Sequence, residues 1–203
     1  MNVLVGDIFE SKAHVLINTV NCVGVMGKGL ALQFKNRFPD MYKDYVEKCE
    51  QGKVKLGQPY LYKSVVLPWI INFPTKDHWR SLAKIEDIIS GVEYLKQHYK
   101  EWGVESIAVP PLGTGLGQLE WRIVGPLLYT HFKEFDIPVE FYAPYETPND
   151  ELELAFLRGQ EDTQYSIKPP EYSWVKPEWV ALVEILNRVE NHKYSWPIGR
   201  VGF

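Results

Sequence analysis

Two glycine-rich stretches of this sequence stand where a polypeptide backbone can hold a phosphate. The first, Asn18-Thr-Val-Asn-Cys-Val-Gly-Val-Met-Gly-Lys-Gly-Leu-Ala-Leu-Gln-Phe-Lys35, passes from an apolar run through Gly24, Gly27 and Gly29 into an amphipathic segment beginning near Leu30. Glycine admits positive φ and lets backbone N–H groups approach an anion closely, and a helix starting there points its positive end at the same spot. The second follows Ser106-Ile-Ala-Val-Pro as Pro111-Leu-Gly-Thr-Gly-Leu-Gly-Gln-Leu-Glu-Trp121 and has the same order of apolar run, glycines and helical pattern. Either loop alone is equally well read as a tight turn. Together, after two strands of one sheet, they would flank a crevice at the carboxyl ends of the strands, where open α/β sheets bind ligands. The guest that fits such a pair is a diphosphate. The sequence has no G-x-x-x-x-G-K-[ST], and no G-x-G-x-x-G with an acidic residue about 20 positions on, so neither a P-loop nor the dinucleotide fingerprint is present.

A third motif, Asn72-Phe-Pro-Thr-Lys-Asp-His-Trp-Arg80, carries a candidate for catalysis. Lys76 follows the apolar run Trp69–Phe73 across the rigid Pro74-Thr75, which would hold its amine where the crevice opens. Partial removal from water lowers an ammonium pKa toward values useful for proton transfer or nucleophilic attack. His78, Trp79 and Arg80 follow on the same loop. Trp79 can stack on a nucleobase and Arg80 can take a phosphate, although a half-buried packing role explains Trp79 equally well. Lys28, Lys35 and Arg37 lie near the first loop, and Lys84 lies beyond the third motif. If the two regions converge they form a positive rim, but Lys35, Arg37 and Lys84 singly read as solvated helix faces. The formal net charge is −4, which excludes a general nucleic-acid binder and leaves room only for a local DNA contact.

The elements that must position these residues alternate. Apolar runs at Val3–Val5, Val15–Ile17, Tyr60–Tyr62, Trp69–Phe73, Ser106–Val109 and Val139–Tyr142 read as strands. Helical stripes lie between them, most clearly Ile85, Ile88, Ile89, Val92, Leu95 and Tyr99, then Met41, Tyr45, Val46 and Cys49, and Trp121, Val124, Leu127, Leu128 and Phe132. Nearly continuous apolar strands separated by helices predict an α/β fold, a three-layer α/β/α sandwich with a central mixed sheet. The chain of 203 residues divides into residues 1–157 and a remainder, 158–203. The remainder reads as a linker through Pro169-Pro170 and a short helix bearing Trp179, Val180, Val183, Leu186 and Val189. No charged-then-apolar leader and no apolar run of roughly 18 residues is seen, so a cytoplasmic location is expected. Cys22 and Cys49 lack companions at metal-ligand spacing and read as small buried thiols, so neither a disulfide nor a metal is expected.

The three motifs together resemble the macrodomain family of ADP-ribose-binding modules. Val3-Leu-Val-Gly-Asp7-Ile8 is similar to the family's first strand and its Gly-Asp-Ile, Asn18 to Asn21 to its Asn-x-x-Asn, and Pro111 to Leu119 to its second phosphate loop. The likeness covers about residues 1–145 and sharpens at Asn72 to Arg80, which resembles the branch of DarG-type DNA ADP-ribosyl glycohydrolases. That branch removes ADP-ribose placed on DNA bases by DarT-type toxins. The resemblance implies removal of ADP-ribose from bases, thymidine in single-stranded DNA being the expected substrate. It also implies a DarT-type toxin as partner, and a second, toxin-binding domain of which the 158–203 segment would be the start.

Carried onto these positions, the family pattern assigns Asp7 and Ile8 to the adenine, with Tyr142 near its face, and Asn21 to the hydroxyls of the distal ribose. It lays the diphosphate between the backbones of Val25, Met26, Gly27, Lys28 and Gly29 and of Gly113, Thr114, Gly115, Leu116 and Gly117. Asp7 could equally cap a turn and Asn21 could equally close an Asx turn. Lys76 takes the place of the lysine that attacks C1″ in the related protein-ADP-ribose hydrolase, while the acidic partner of that lysine is replaced by Gly117. Glu120, close by, reads as a first-turn carboxylate. A base bound through an imide nitrogen leaves as a delocalised anion and needs less acid help than an alkoxide, so Lys76 alone suffices, either as ammonium or as free amine. A non-catalytic ADP-ribose reader, a deADP-ribosylase for protein carboxylate esters and a purely steric antitoxin are the rival readings. No cofactor is expected, since two backbone-amide loops neutralise the diphosphate without a metal. The affinity for ADP-ribose is therefore expected to be unchanged by EDTA in calorimetry, and a marked loss on chelation would overturn that expectation.

Overall fold

The computed structural model describes residues 2–159. Its six strands, β1 (Asn2–Leu4), β2 (Val15–Asn21), β3 (Tyr60–Tyr62), β4 (Trp69–Lys76), β5 (Ile107–Val109) and β6 (Val139–Tyr142), form one sheet in the order β1-β6-β5-β2-β4-β3. Every pairing is parallel except β3 with β4. Helices α1 (Gly29–Arg37), α2 (Pro39–Glu50), α3 (Ile85–His98), α4 (Trp121–Phe132) and the short α5 (Leu154–Leu157) complete it.

Alternation along the strands builds the layers. Val15 and Ile17, Ile71 and Phe73, and Ile107 and Val109 join a core shared with Ile88, Val92 and Leu95 of α3 and Val124, Leu128 and Phe132 of α4. The intervening residues Leu16, Val20, Ile70 and Ala108 point the other way, into a core shared with Phe34 of α1 and Met41 and Tyr45 of α2. Both faces are thus apolar, as the continuous strand runs demand. The expected mixed sheet between two helical layers is the observed architecture.

Two strands run further than their apolar stretches suggested. β2 continues to Asn21 and β4 to Lys76, through Pro74. A proline inside a strand needs a place where its missing N–H is not called for. Here β3 reaches only to Asn72, and the β2–β4 register shifts between Val20 and Asn21, so that Val20 faces Pro74 and Asn21 faces Lys76. The linker and the helix around Trp179 expected in 158–203 lie outside the described residues, apart from the last two residues described. No helix among the described residues is long and apolar enough to cross a membrane.

A row of polar side chains crosses three neighbouring strands beneath α1 and α2. Asn18 and Asn72 are register partners, as are Asn72 and Tyr60. The Asn18 Nδ2 donates to Asn72 Oδ1 at 2.9 Å, and the Asn72 Nδ2 donates to the Tyr60 hydroxyl at 3.1 Å. Both asparagines are fully buried. A one-residue slip of β4 would turn Asn72 to the opposite core and leave both amides unpaired, so the row pins the register that delivers Lys76 to its place. Asn72→Ala is expected to lower stability by about 1–3 kcal/mol, the cost of stranding a buried polar partner. An unchanged denaturation midpoint in urea would show that the row is incidental.

Candidate active site

The carboxyl ends of β2, β4, β5 and β6 open into one cleft of about 880 Å³. Its order follows the order of the sheet. The β1–β6 end presents Asp7, Ile8, Tyr142 and Tyr145, both glycine loops line the cleft, and the β2–β4 end presents Asn21, Thr75 and Lys76 with Trp79 and Arg80. From β1 to β4 is four strand spacings, about 19 Å, a span that suits an extended dinucleotide-sized ligand.

The first loop is shaped by Asn21. Its Oδ1 accepts the Val23 and Val25 amides at 3.0 and 3.3 Å, and its Nδ2 donates to the Val25 carbonyl at 2.6 Å. The Asx turn leaves room for a ligand role, because the second N–H of Nδ2 has no partner among the described residues and Asn21 lines the cleft. The Val25 amide is taken up by Asn21, which removes it from the expected phosphate donors. Met26 contributes no side chain to the cleft. It is buried, with its sulfur 3.9 Å from Asn18 Nδ2, because the loop needs an apolar anchor in the core below. The amides of Met26, Gly27, Lys28 and Gly29 have no partner among the described residues.

The second loop is narrowed in the same way. The Thr114 amide donates to Pro111 and the Gly117 amide to Thr114, at 3.2 and 3.1 Å, leaving the amides of Gly113, Gly115 and Leu116 for a ligand. Gly113 has φ +76°, and a Cβ there would meet Leu119 Cδ1 at 2.6 Å, so only glycine serves. At Gly117 the absence of an acid has a steric reason. A Cβ would stand 3.0 Å from the Ala83 Cβ, and the Gly117 carbonyl already accepts the Ala83 amide. Glu120 takes the residue before α4 and does not line the cleft.

Lys76 ends β4 directly opposite Asn21. Its Nζ donates to the Leu116 carbonyl at 3.0 Å, tying the third motif to the second loop, and partial burial pulls its pKa below the ordinary lysine value. Trp79 and Arg80 line the cleft, the guanidinium lying 4.4 Å from the centre of the half-exposed indole ring. His78 does not line it. Its Nδ1 accepts the Arg80 amide at 3.2 Å, so it shapes the turn.

At the opposite end Asp7 caps a short turn by accepting the Phe9 amide at 3.0 Å, and its other oxygen pairs with Arg37 at 3.5 Å. Arg37 is thus more than a bare solvated residue. Lys35 lies over the Tyr42 ring, and Lys84 stands immediately before α3 without lining the cleft. The positive rim reduces to Lys28, Lys76 and Arg80, against the single carboxylate of Asp7. Cys22 and Cys49 lie beneath the first loop, closer in space than in sequence. Burial first, then Cys49, pushes the Cys22 thiol up to about 11, and burial also raises Cys49, so both are poor nucleophiles. No group of three or more metal-ligating side chains occurs among the described residues.

Thr19, Gln33 and Tyr145 also line the cleft and were not singled out from the sequence. Thr19 reads as an ordinary strand residue and Gln33 as an ordinary helix residue. Tyr145, three residues past Tyr142 and largely exposed, could have been found from an exposed aromatic beside a strand end.

Residues 17–128 match the Macro domain family. The chain is 39% identical over 177 residues to the DNA ADP-ribosyl transferase–DNA ADP-ribosyl glycohydrolase fusion protein of Thermosipho africanus, a match covering 77% of this chain and 46% of that one. It thus spans less than half the length of that curated relative. Among solved structures it is similar to Thermosipho africanus DarTG in complex with ADP-ribose, with TM-score 0.73 and 40% identity over 78% of this chain and 46% of that one. It is also similar to the macrodomain of Mycobacterium tuberculosis DarG, with TM-score 0.68 and 41% identity over 70% of this chain and 97% of that one.

Gly27 has no positive φ, and a Cβ there meets only Val25 Cγ1 at an ordinary 3.8 Å. Gly27→Glu should therefore fold with a melting temperature within a few degrees of wild type, while its carboxylate occupies the anion's place and abolishes ADP-ribose binding. Retained binding by calorimetry would show that the diphosphate lies elsewhere.

Proposed function

The chain belongs to the macro domain family, and on that premise we propose that it removes ADP-ribose from DNA bases, acting on thymidine in single-stranded DNA and reversing a DarT-type toxin. The observation that carries this reading is the pairing of Asn21 with Lys76 at the end of the cleft beyond the two amide loops. With the adenine at Asp7, Ile8 and Tyr142 and the diphosphate between the loops, the distal ribose lies at Asn21 and its C1″ faces Lys76.

The chemistry available there is restricted. The cleft lining at the β2–β4 end contains Lys76 and Arg80 and no carboxylate, and a side chain at position 117 would crowd the Ala83 Cβ. A leaving group that needs full protonation, such as an alkoxide, is poorly served. An imide nitrogen of thymine departs as a delocalised anion, which an ammonium can stabilise by a hydrogen bond. A lysine amine attacking C1″ would form a covalent glycosyl–lysine, expel the base and then yield to water. In both roles the Leu116 carbonyl accepts one N–H of Lys76 and so limits where the remaining bonds of Nζ point. Trp79 offers a face for the base or its neighbour and Arg80 a phosphate contact, which keeps the DNA footprint local on an acidic chain.

The deciding experiment is incubation with ADP-ribosylated single-stranded DNA followed by mass analysis. Release of intact oligonucleotide and free ADP-ribose is expected, and unchanged DNA after hours would reduce the protein to a reader. Lys76→Ala should lower kcat at least ~10²-fold while ADP-ribose affinity changes only a few-fold, because the lost contact belongs to the transition state. Near wild-type cleavage would remove Lys76 from the mechanism. Lys76→Arg separates the two roles, since guanidinium stays protonated and cannot attack. If the amine attacks, that variant is inactive and the wild-type rate climbs with pH, levelling off below the ordinary lysine pKa of 10.5.

A further inference from the structure

Tyr45, on α2 and fully buried, takes no part in the chemistry above, yet its hydroxyl is hydrogen-bonded to Asn21, which does. It lies 2.8 Å from the Asn21 carbonyl oxygen and 3.0 Å from Asn21 Oδ1. We propose that Tyr45 is a positioning residue for the glycosidic end of the cleft, holding the Asn21 carboxamide and the end of β2 in the orientation that sets Asn21 beside Lys76. This inference rests on the reading of that end as the place of the distal ribose.

The bonds around Asn21 divide into two kinds. Those from Val23 and Val25 come from its own loop, whose valines are 45% and 40% exposed, so they fix Asn21 relative to a segment that moves with it. The bond from Tyr45 is the one that ties this side chain to an element anchored in a core, among Phe34, Met41 and Ile70. The Val23 and Val25 amides settle the amide's orientation, since a flipped NH₂ would face two backbone N–H groups. One N–H of Nδ2 is then left for a ligand.

The single phenolic proton is shared between Oδ1 and the nearer Asn21 carbonyl oxygen, at the point where the β2–β4 register has just shifted. Beyond it, Cys22 donates to the Asp77 carbonyl at 3.0 Å, so the strand ends are held on both sides of the irregularity. Burial raises the phenol's pKa well above its ordinary value, so it remains a donor across the working pH range. Without the hydroxyl the Asn21 carboxamide keeps only its loop partners while the strand pairing stays, so its position relative to Lys76 is less closely fixed, and displacements of about 1 Å at a reacting centre cost up to ~10²-fold in rate.

The test is Tyr45→Phe, which keeps the ring and its packing. On ADP-ribosylated single-stranded DNA its kcat should fall about 10- to 100-fold, with ADP-ribose affinity weakened several-fold. Met41→Leu, a core change on the same helix without a hydrogen bond to Asn21, is the control. It should lose comparable thermal stability and keep its kcat. The Asn21 side-chain NH₂ resonances should be sharp and slow to exchange in the wild type, and broadened and fast in Tyr45→Phe. Wild-type turnover and unchanged Asn21 resonances in Tyr45→Phe would overturn the proposal, as would an equal kcat loss in both variants. If the wild-type protein itself leaves modified DNA intact, the functional reading fails, while the NMR and ADP-ribose measurements still judge Tyr45.

Discussion

The shift of register at the ends of β2 and β4 is the constraint on which this site depends. Parallel strands offer no hairpin to define their ends, so what stands opposite what is decided by pairing further down the strands. Here six consecutive partners from Val15 opposite Trp69 to Val20 opposite Pro74, with the Asn18–Asn72 amide pair among them, lock the register before the irregularity. The one extra residue of β4 then places Lys76, and not Thr75, across from Asn21. Thr75 turns inward, where its hydroxyl reaches toward the Val20 carbonyl at 3.4 Å. Bulges of this kind re-aim a side chain at a strand end.

The proposed anion site follows a different logic and uses little side-chain charge. Glycine loops at the ends of strands provide amide donors whose cost of organisation is met within the fold, by Asn21 in one loop and by Thr114 and Ala83 in the other. An acidic chain can hold a diphosphate in this way because the donors are fixed dipoles at short range, whereas net charge acts over a screened distance. The three cations at the rim add attraction without making the surface broadly basic. That economy matches a ligand with a strongly anionic middle and a short nucleic-acid attachment.

The Lys76–Leu116 contact links these two systems. It joins the strand end that carries the reactive amine to the tip of the second loop, whose Leu116 side chain in turn approaches Gly29 of the first. A Cβ on Gly29 would stand 3.5 Å from Leu116 Cδ1, so the two loops nearly meet over the cleft. On the proposed reading, diphosphate binding and amine placement are therefore mechanically connected, and a ligand that spreads the loops also moves the acceptor of the lysine.

Much of this was legible in the sequence. Apolar periodicity determined the strands, the helices and the three-layer order, because burial on two faces leaves nearly continuous apolar runs between helical stripes. The glycines and Lys76 were legible because few residue types serve a close backbone approach or a tunable amine. What the sequence could not express is competition for the same groups. Whether Val25, Thr114 and Gly117 offer their amides to a ligand or to the loop, whether Met26 faces the cleft or the core, and whether Gly117 has room for an acid are decided by neighbours distant in the chain, such as Ala83. The same holds for Tyr45, an ordinary member of an apolar helical stripe until α2 folds against β2 and brings its hydroxyl to Asn21, 24 residues away. Local pattern records which surfaces are buried, but hydrogen-bond partners and steric room are properties of pairs, and only the tertiary structure chooses the pairs.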